Sequence, residues 1–424
     1  MDTAFSSINA VASRSRNWID RLWSTIADRG QAYVSAPATS IPAGERAVML
    51  ARDLLSGLGE ASGAARAREL LGVWRGLDGA AQLAFCRHLA MHYLPDAEHL
   101  RAAAQAYLAD PTPALASALA DAAEPPRQEL LRRMNQAPGG TAALVAMRRL
   151  MLGSLRQQPE LAPLDSDLRH LFASWFNRGF LELRRIDWNT PASVLEKLIH
   201  YEAVHEIQGW DDLRRRLAAD RRCFAFFHPA LPGDPLIFVE VALVRGLAGA
   251  VAPLLGAEST PEAISSQEAG ADTAIFYSIS NCQDGLRGIS FGNFLIKQVV
   301  EELKQELPGI KHFATLSPAP GFRRWLERRP AVDTAAETEM TRLAAQYLTE
   351  PGGRDPVARF HLGNGARLER INWMGNPAPR GMQESFGVMV NYLYDPDTIE
   401  ANHEAFARGG MVVRSAAVAA LLAD

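Results

Sequence analysis

The sequence predicts a two-domain chain of the α + α/β class. An N-terminal helical bundle is expected over residues 1–183, and a mixed-sheet α/β domain over 184–424. Three observations predict it. The 424 residues exceed the ~250–300 that one hydrophobic core usually fills. Apolar residues recur with a helical period through the first half. Beyond about residue 184 they gather instead in short runs of β-branched and aromatic side chains.

The helical half is legible segment by segment. ERAVMLARDLLSGLG (45–59), AARARELLGVWRGL (64–77), AQLAFCRHLAMHYL (81–94) and HLRAAAQAYLAD (99–110) each place apolar residues at i, i+3, i+4 and i+7. That spacing buries one stripe per helix. Gly59, Gly63, Gly79, Pro95 and the DPTP at 110–113 act as stops and starts. Abundant alanine favours both helix and close helix approach. No fixed-length repeat is evident, so a solenoid is not expected.

In the second half, CFAFFHP (223–229) and PLIFVEVALV (235–244) read as two strands of a hairpin bounded by Pro and Gly. DTAIFYSISN (272–281) is a third strand, followed by a glycine-bearing loop and the helix NFLIKQVVEELKQEL. KHFATLS (311–317) is a strand that runs into a Ser-Pro corner. Late strands are expected in ARFHLGNGARLERINWM and GVMVNYLYD. The Ala/Ser/Glu-rich stretch 245–271 reads as a mobile loop.

Composition narrows the function classes. Apolar residues make up 48% and the net charge is −4, so no global basic field points to nucleic acid or an anionic membrane. No run of ~18 apolar residues is present, so no transmembrane helix is expected. Cys86, Cys223 and Cys282 lack C-x-x-C spacing, which suits a reducing cytoplasm and buried thiols. The N-terminal stretch MDTAFSSINAVASRSRNW has no continuous apolar core and does not read as a secretory signal.

The most informative local pattern is strand, CQDGLRGISFGN (282–293), helix. Gly285, Gly288 and Gly292 permit tight turns, and the helix that follows offers unpaired N–H groups to an anion. Arg287 adds a cation. The loop fits neither the P-loop pattern nor G-x-G-x-x-G. A structural turn and a phosphate cradle are both open. The order of elements resembles the way the GNAT acyltransferase superfamily holds the pyrophosphate of coenzyme A.

Histidines and hydroxyls need sorting. His88 and His92 have i, i+4 spacing but lack the glutamate of H-E-x-x-H and a third ligand, so no metal site is expected. His200 and His205, five apart, face different sides of a helix. His361 reads as a strand residue just before a Gly-Asn-Gly hairpin turn at 363–365. Ser317, ahead of Pro318, is either a turn residue or a substrate contact. Nothing in the spacing joins Ser317 to His361.

Three segments carry a resemblance. NRGFLELRRIDWNTPASVLEKLIHYEAVHEIQGWDDLRRRL, FYSISNCQDGLRGISFGNFLIKQVVEELKQELPGIKHFATLSPAPGFRRWL and RFHLGNGARLERINWMGN resemble the malonyl-CoA decarboxylase family, over about residues 170–396. The resemblance implies a helical domain used in self-association, hence a homo-oligomer, and a GNAT-like catalytic domain. It implies that Ser317 and His361 are the catalytic pair. Tyr394, in NYLYDP, is a separate candidate for a supporting partner. The CoA-binding stretch falls on Arg287, Gly288, Ile289, Ser290, Phe291, Gly292 and Asn293. Some relatives carry a glutamate where this chain has Ser290, so that role is not carried over. The chain ends AALLAD rather than S-K-L, so no peroxisomal address is expected.

The expected activity is decarboxylation of malonyl-CoA to acetyl-CoA and CO2 in malonate and fatty-acid metabolism. It needs no cofactor or metal, because the CoA belongs to the substrate. Ser317 is expected to bond the carboxylate or thioester end and orient His361, which supplies a proton to the carbanion. The alternative is a CoA-dependent acyltransferase of the GNAT superfamily.

Overall fold

A computed structural model describes residues 24–34, 41–57, 59–202, 204–256, 260–289, 295–329, 336–350 and 355–423. Ser290, Phe291, Gly292 and Asn293 of the expected CoA stretch lie outside the described residues. The chain divides into two compact units. One comprises the residues up to Phe180 with Pro229–Pro232 and the loop from Gln283. The other comprises Leu181–His228, Gly233–Cys282 and the described residues from Leu295 onward.

In the first unit, helices Ala43–Leu54, Glu60–Gly76, Gly79–His92, Ala97–Ala109, Pro113–Ala123, Pro126–Asn135, Gly140–Leu152 and Ala162–Trp175 follow one another through short turns. Gly59, Gly79, Pro95 and the DPTP stand at helix boundaries as expected, whereas Gly63 lies inside helix Glu60–Gly76. Asp78 accepts from Ala81 N at 2.8 Å, Asp96 from His99 N at 2.7 Å, and Thr112 caps the helix that opens on Pro113. Leu50, Leu54, Leu70, Trp74, Phe85, Leu89, Leu130, Leu144, Met147 and Phe172 are buried. Asp167, also buried, pairs with Arg127 and accepts from Gln128 Nε2 at 2.7 Å.

The second unit is built on an eight-stranded mixed sheet. Its strands are β1 (Glu182–Ile186), β2 (Arg221–Phe227), β3 (Pro235–Val244), β4 (Thr273–Asn281), β5 (His312–Thr315), β6 (Ser317–Pro318), β7 (Arg367–Asn372) and β8 (Met389–Leu393). The order is β1-β2-β3-β4-β5-β8-β6, with β7 also paired to β8. Among the strand pairs of the described residues, only β4 and β5 run parallel. A parallel pair needs a crossover, and helix Leu295–Glu306 supplies it, burying Leu295, Ile296, Val299, Val300 and Leu303. On one face, Cys223, Ala225 and Phe227 alternate along β2 beneath Val194, Leu195 and Leu198. Cys223 and Cys282 are buried in that core, and burial pushes both thiols well above their ordinary pKa. In the first unit, burial pushes the Cys86 thiol up to about 12.

Three segments differ from the sequence expectation. β1 lies in a stretch with no strand signal, because its Arg184 and Arg185 break the apolar pattern. The 245–271 stretch is not an open loop. It holds helices Ala252–Leu255 and Pro261–Gly270, the second opened by Thr260 capping Ala263 N with Pro at its first turn. His361 is not on a strand. It lies on helix Pro356–Gly363, whose buried Ala358, His361 and Leu362 follow a helical period. The Gly-Asn-Gly at 363–365 ends that helix instead of turning a hairpin. Gly365 there has φ +85°, and a Cβ on it would meet Ile399 O at 2.1 Å.

Candidate functional site

The site grows from a parting of strands. β4 pairs with β5 over Thr273–Phe276, and Leu316 N donates to Phe276 O at 2.9 Å. There the partner strand changes direction. Ser317 and Pro318 pair with Val390 and Met389 of β8 instead, while β4 continues to Asn281. Between the diverging strands lies a cavity of about 340 Å³. Tyr277, Ile279 and Asn281 of β4, two residues apart, line one side; Ser317 and Pro318 line another. Pro356, Val357, Phe360 and His361, on one helical face, close it, with Val204 and Ile237.

Ser317 and His361, unconnected by spacing, meet at this cavity. Ser317 Oγ lies 3.0 Å from His361 Nε2, and His361 Nδ1 lies 2.8 Å from Tyr394 Oη. Tyr394 follows β8 and is held by its own N–H bond to Phe313 O at 2.7 Å. The His361 ring stacks on Tyr392 with centroids 4.8 Å apart. At 2% exposure, burial lowers the His361 pKa from 6.5 to about 3. Burial raises the Tyr394 and Tyr392 hydroxyls well above 10. The hydrogen-bonded chain from Ser317 to Tyr394 is therefore neutral near pH 7.

Two carboxylates that the sequence reading missed hold this geometry. Asp355 Oδ1 accepts from Val357 N at 2.9 Å and Ala358 N at 3.0 Å, capping the helix that carries His361. Its Oδ2 accepts from Gly321 N at 3.2 Å, at the end of the Ser317 corner, and from Tyr347 Oη at 3.0 Å. One side chain thus ties the carrier of the serine to the carrier of the histidine. Burial raises its pKa against the pull of those donors. The second is Glu202. It accepts from Val204 N at 2.6 Å, His205 N at 2.7 Å and Ser278 Oγ at 2.8 Å, fastening the Val204 wall of the cavity to β4. Asp-Pro ahead of an apolar period is a helix-start signal, and it was available for Asp355. Nothing comparable marks Glu202.

The loop after β4 belongs to the first unit. A 3₁₀ turn over Asp284–Leu286 buries Gly285 and Leu286. Arg287 is exposed and pairs with Asp284 at 2.7 Å. Gly288 has φ +78° with open space around its Cα, so its conformation rather than crowding asks for glycine. Ile289 is buried.

Two outcomes are expected from this geometry. Asp355→Ala should cost about 1–3 kcal/mol, the sum of a lost cap and an orphaned donor. Asp355→Asn, which keeps an acceptor, should cost less; equal urea midpoints for Asp355→Ala and the parent would show that the carboxylate holds nothing. The second outcome concerns pH. His361 has a folded pKa near 3 against 6.5, so below about pH 6.5 the unfolded state takes up a proton that the folded ring refuses. Its contribution to stability therefore falls as pH drops from 6.5 toward 3. The stability difference between the parent and His361→Gln should shrink between about pH 7.5 and pH 4.5. A constant difference would mean that the ring titrates alike in both states.

Comparison with known proteins accords with this architecture. The family model described as malonyl-CoA decarboxylase C-terminal domain matches residues 179–351 and 329–424, and that of the N-terminal domain matches 93–176. The mitochondrial malonyl-CoA decarboxylase of Anser anser anser is 35% identical over 337 residues, covering 66% of each chain. That of Rattus norvegicus is 32% identical over 319 residues, 62% of this chain and 64% of the relative. The match thus spans 66% or less of the length of these curated relatives. The crystal structure of malonyl-CoA decarboxylase from Rhodopseudomonas palustris is 50% identical, covers 88% of this chain and 98% of its own, and superposes with a TM-score of 0.81. The structure from Agrobacterium vitis is also 50% identical, covers 89% of this chain and 100% of its own, and gives 0.82. This chain belongs to the malonyl-CoA decarboxylase family.

Proposed function

We propose that this chain decarboxylates malonyl-CoA to acetyl-CoA and CO2, using Ser317 and His361 as catalytic residues and Tyr394 as the group that positions the ring. The observation that carries the reading is the neutral Ser317–His361–Tyr394 chain at the wall of a largely apolar cavity. In the reaction the bond between the α-carbon and the carboxylate breaks. Its electron pair enters the thioester carbonyl as an enolate, CO2 departs, and the α-carbon takes one proton. An apolar cavity favours loss of charge from the carboxylate, and rigid walls hold that group out of the thioester plane.

Tyr394 donates to Nδ1, which leaves the single ring proton on Nε2, facing Ser317 and the cavity. Ser317 bonds the carboxylate or thioester oxygen and keeps the ring in place. Nε2–H then protonates the α-carbon while the Tyr394 proton moves onto Nδ1; after product leaves, that proton returns to Tyr394 as a water entering the cavity protonates Nε2 and departs as hydroxide, which restores both groups. The thioester enolate is a stronger base than the resulting phenolate, so a neutral donor is sufficient. No cofactor or metal takes part. Arg287, Gly288 and Ile289, with Ser290–Asn293, hold the CoA phosphates, and the helical unit mediates homo-oligomer formation. The three buried thiols suit a reducing compartment, the cytoplasm on the present reading, where malonyl units of fatty-acid metabolism are turned over.

The decisive assay supplies malonyl-CoA with no acceptor and follows acetyl-CoA and CO2. Equal amounts of both are expected. Product that forms only when an amine is added would identify an acyltransferase instead. Ser317→Ala and His361→Gln should each lower kcat by about 100-fold or more, the usual scale for proton transfer by a positioned side chain. If the two act as a unit, the double variant should be little worse than either. Losses that multiply would assign them independent roles.

A further inference from the structure

We infer that Arg148, in the helical unit, is a positioning residue for coenzyme A, acting through the loop that follows β4. Arg148 sits on helix Gly140–Leu152 and is 2% exposed. Its Nε donates to Asp165 Oδ1 at 2.8 Å, which fixes the plane of the guanidinium. Its Nη1 donates to two loop carbonyls, Gly285 O at 2.7 Å and Arg287 O at 2.9 Å. The loop lies directly on that helix: a Cβ on Gly285 would stand 2.0 Å from Val145 O.

A buried arginine that gives its charge to two carbonyls is a strong, directional clamp. Its consequence follows from peptide planarity. The C=O and N–H of a trans peptide point in opposite directions, so an Arg287 carbonyl drawn inward onto Arg148 turns the Gly288 N–H outward. That N–H has no acceptor among the described residues. Gly288 itself is exposed and its positive φ continues the turn. Arg148 thereby presents a backbone donor to an anion at the loop, as the peptide nests that bind phosphates do. The inference rests on the reading of this loop as the CoA phosphate site. It gives the helical unit a part in substrate binding as well as in assembly.

The test compares full-length Arg148→Met, Arg148→Lys and Asp165→Asn with the parent. Substrates are malonyl-CoA and malonyl-pantetheine, the same thioester without its nucleotide, and CoA affinity is measured by calorimetry. Arg148→Met should raise KM for malonyl-CoA and Kd for CoA by about tenfold, the scale of one charge-assisted bond. Its kcat should stay within about twofold of the parent, and kcat/KM for malonyl-pantetheine should not change. Asp165→Asn should lose less in the same direction, and Arg148→Lys should recover part of the affinity. Equal losses on both thioesters would reduce Arg148 to a structural role, and an unchanged CoA Kd in both Arg148→Met and Asp165→Asn would overturn the inference. A parent that binds CoA without turnover overturns only the decarboxylase reading, and the CoA affinities then decide this one. A parent that binds no CoA overturns both.

Discussion

The second unit depends on the point where β4 loses its neighbour. Up to Phe276 the parallel pairing with β5 is continuous; after the Leu316–Phe276 bond, β8 takes over the departing strand. A closed sheet would have no room for a ligand between its strands. Because β8 bonds β5, β6 and β7 in turn, the sheet continues past the split, while β4 beyond Phe276 keeps its ladder only with β3. Pro318 and Pro320 then stiffen the exit from Ser317, which keeps the hydroxyl at the mouth of that gap.

The gap also sets the electrostatics. Its lining is mainly apolar, and the groups behind it are Tyr392, Tyr394 and a buried imidazole. Moving the His361 pKa from 6.5 to about 3 corresponds to roughly 5 kcal/mol against the imidazolium. Among the described residues no carboxylate bonds the ring to offset this, since its two nitrogens face hydroxyls. Asp355, the nearest buried acid in the hydrogen-bond pattern, spends its oxygens on backbone N–H groups and Tyr347. It fixes where the serine and the histidine stand without supplying charge to either.

Much of this was legible in the sequence, and the failures have physical causes. The helix boundaries at Gly79, Pro95 and the DPTP, the β2–β3 hairpin and the strand–loop–helix after β4 follow from local signals that tertiary structure left intact. The His361 segment misled because RFHLGNGARLERINWM alternates well enough to pass for a strand, and Asp355-Pro356, which starts the helix, stands just outside it. Conversely, 252–255 is a single turn, too short for a period, and 261–270 has little apolar face, so periodicity had nothing to find. The pairing of Ser317 with His361 was open to family resemblance alone, because 44 residues separate them and the contact exists only through the sheet. Arg148 acts on carbonyls 137 and 139 residues away and Glu202 on serines 76 and 78 residues away, and such partners leave no mark on spacing.

The state of His361 bears on which chemistry the site suits. Acyl transfer to an amine asks a general base to take a proton from the attacking nitrogen, and such a base works best with a pKa near the operating pH. A ring held near 3 is several units too weak for that task. Decarboxylation asks for the reverse. The carbanion that forms is basic enough to take a proton from a neutral N–H, and an imidazolium would instead pair with the substrate carboxylate and stabilise the ground state. A desolvated, neutral histidine between two hydroxyls therefore favours loss of CO2 on the same physical ground that disfavours aminolysis. On the proposed reading, the apolar walls that lower its pKa would also favour departure of the substrate carboxylate.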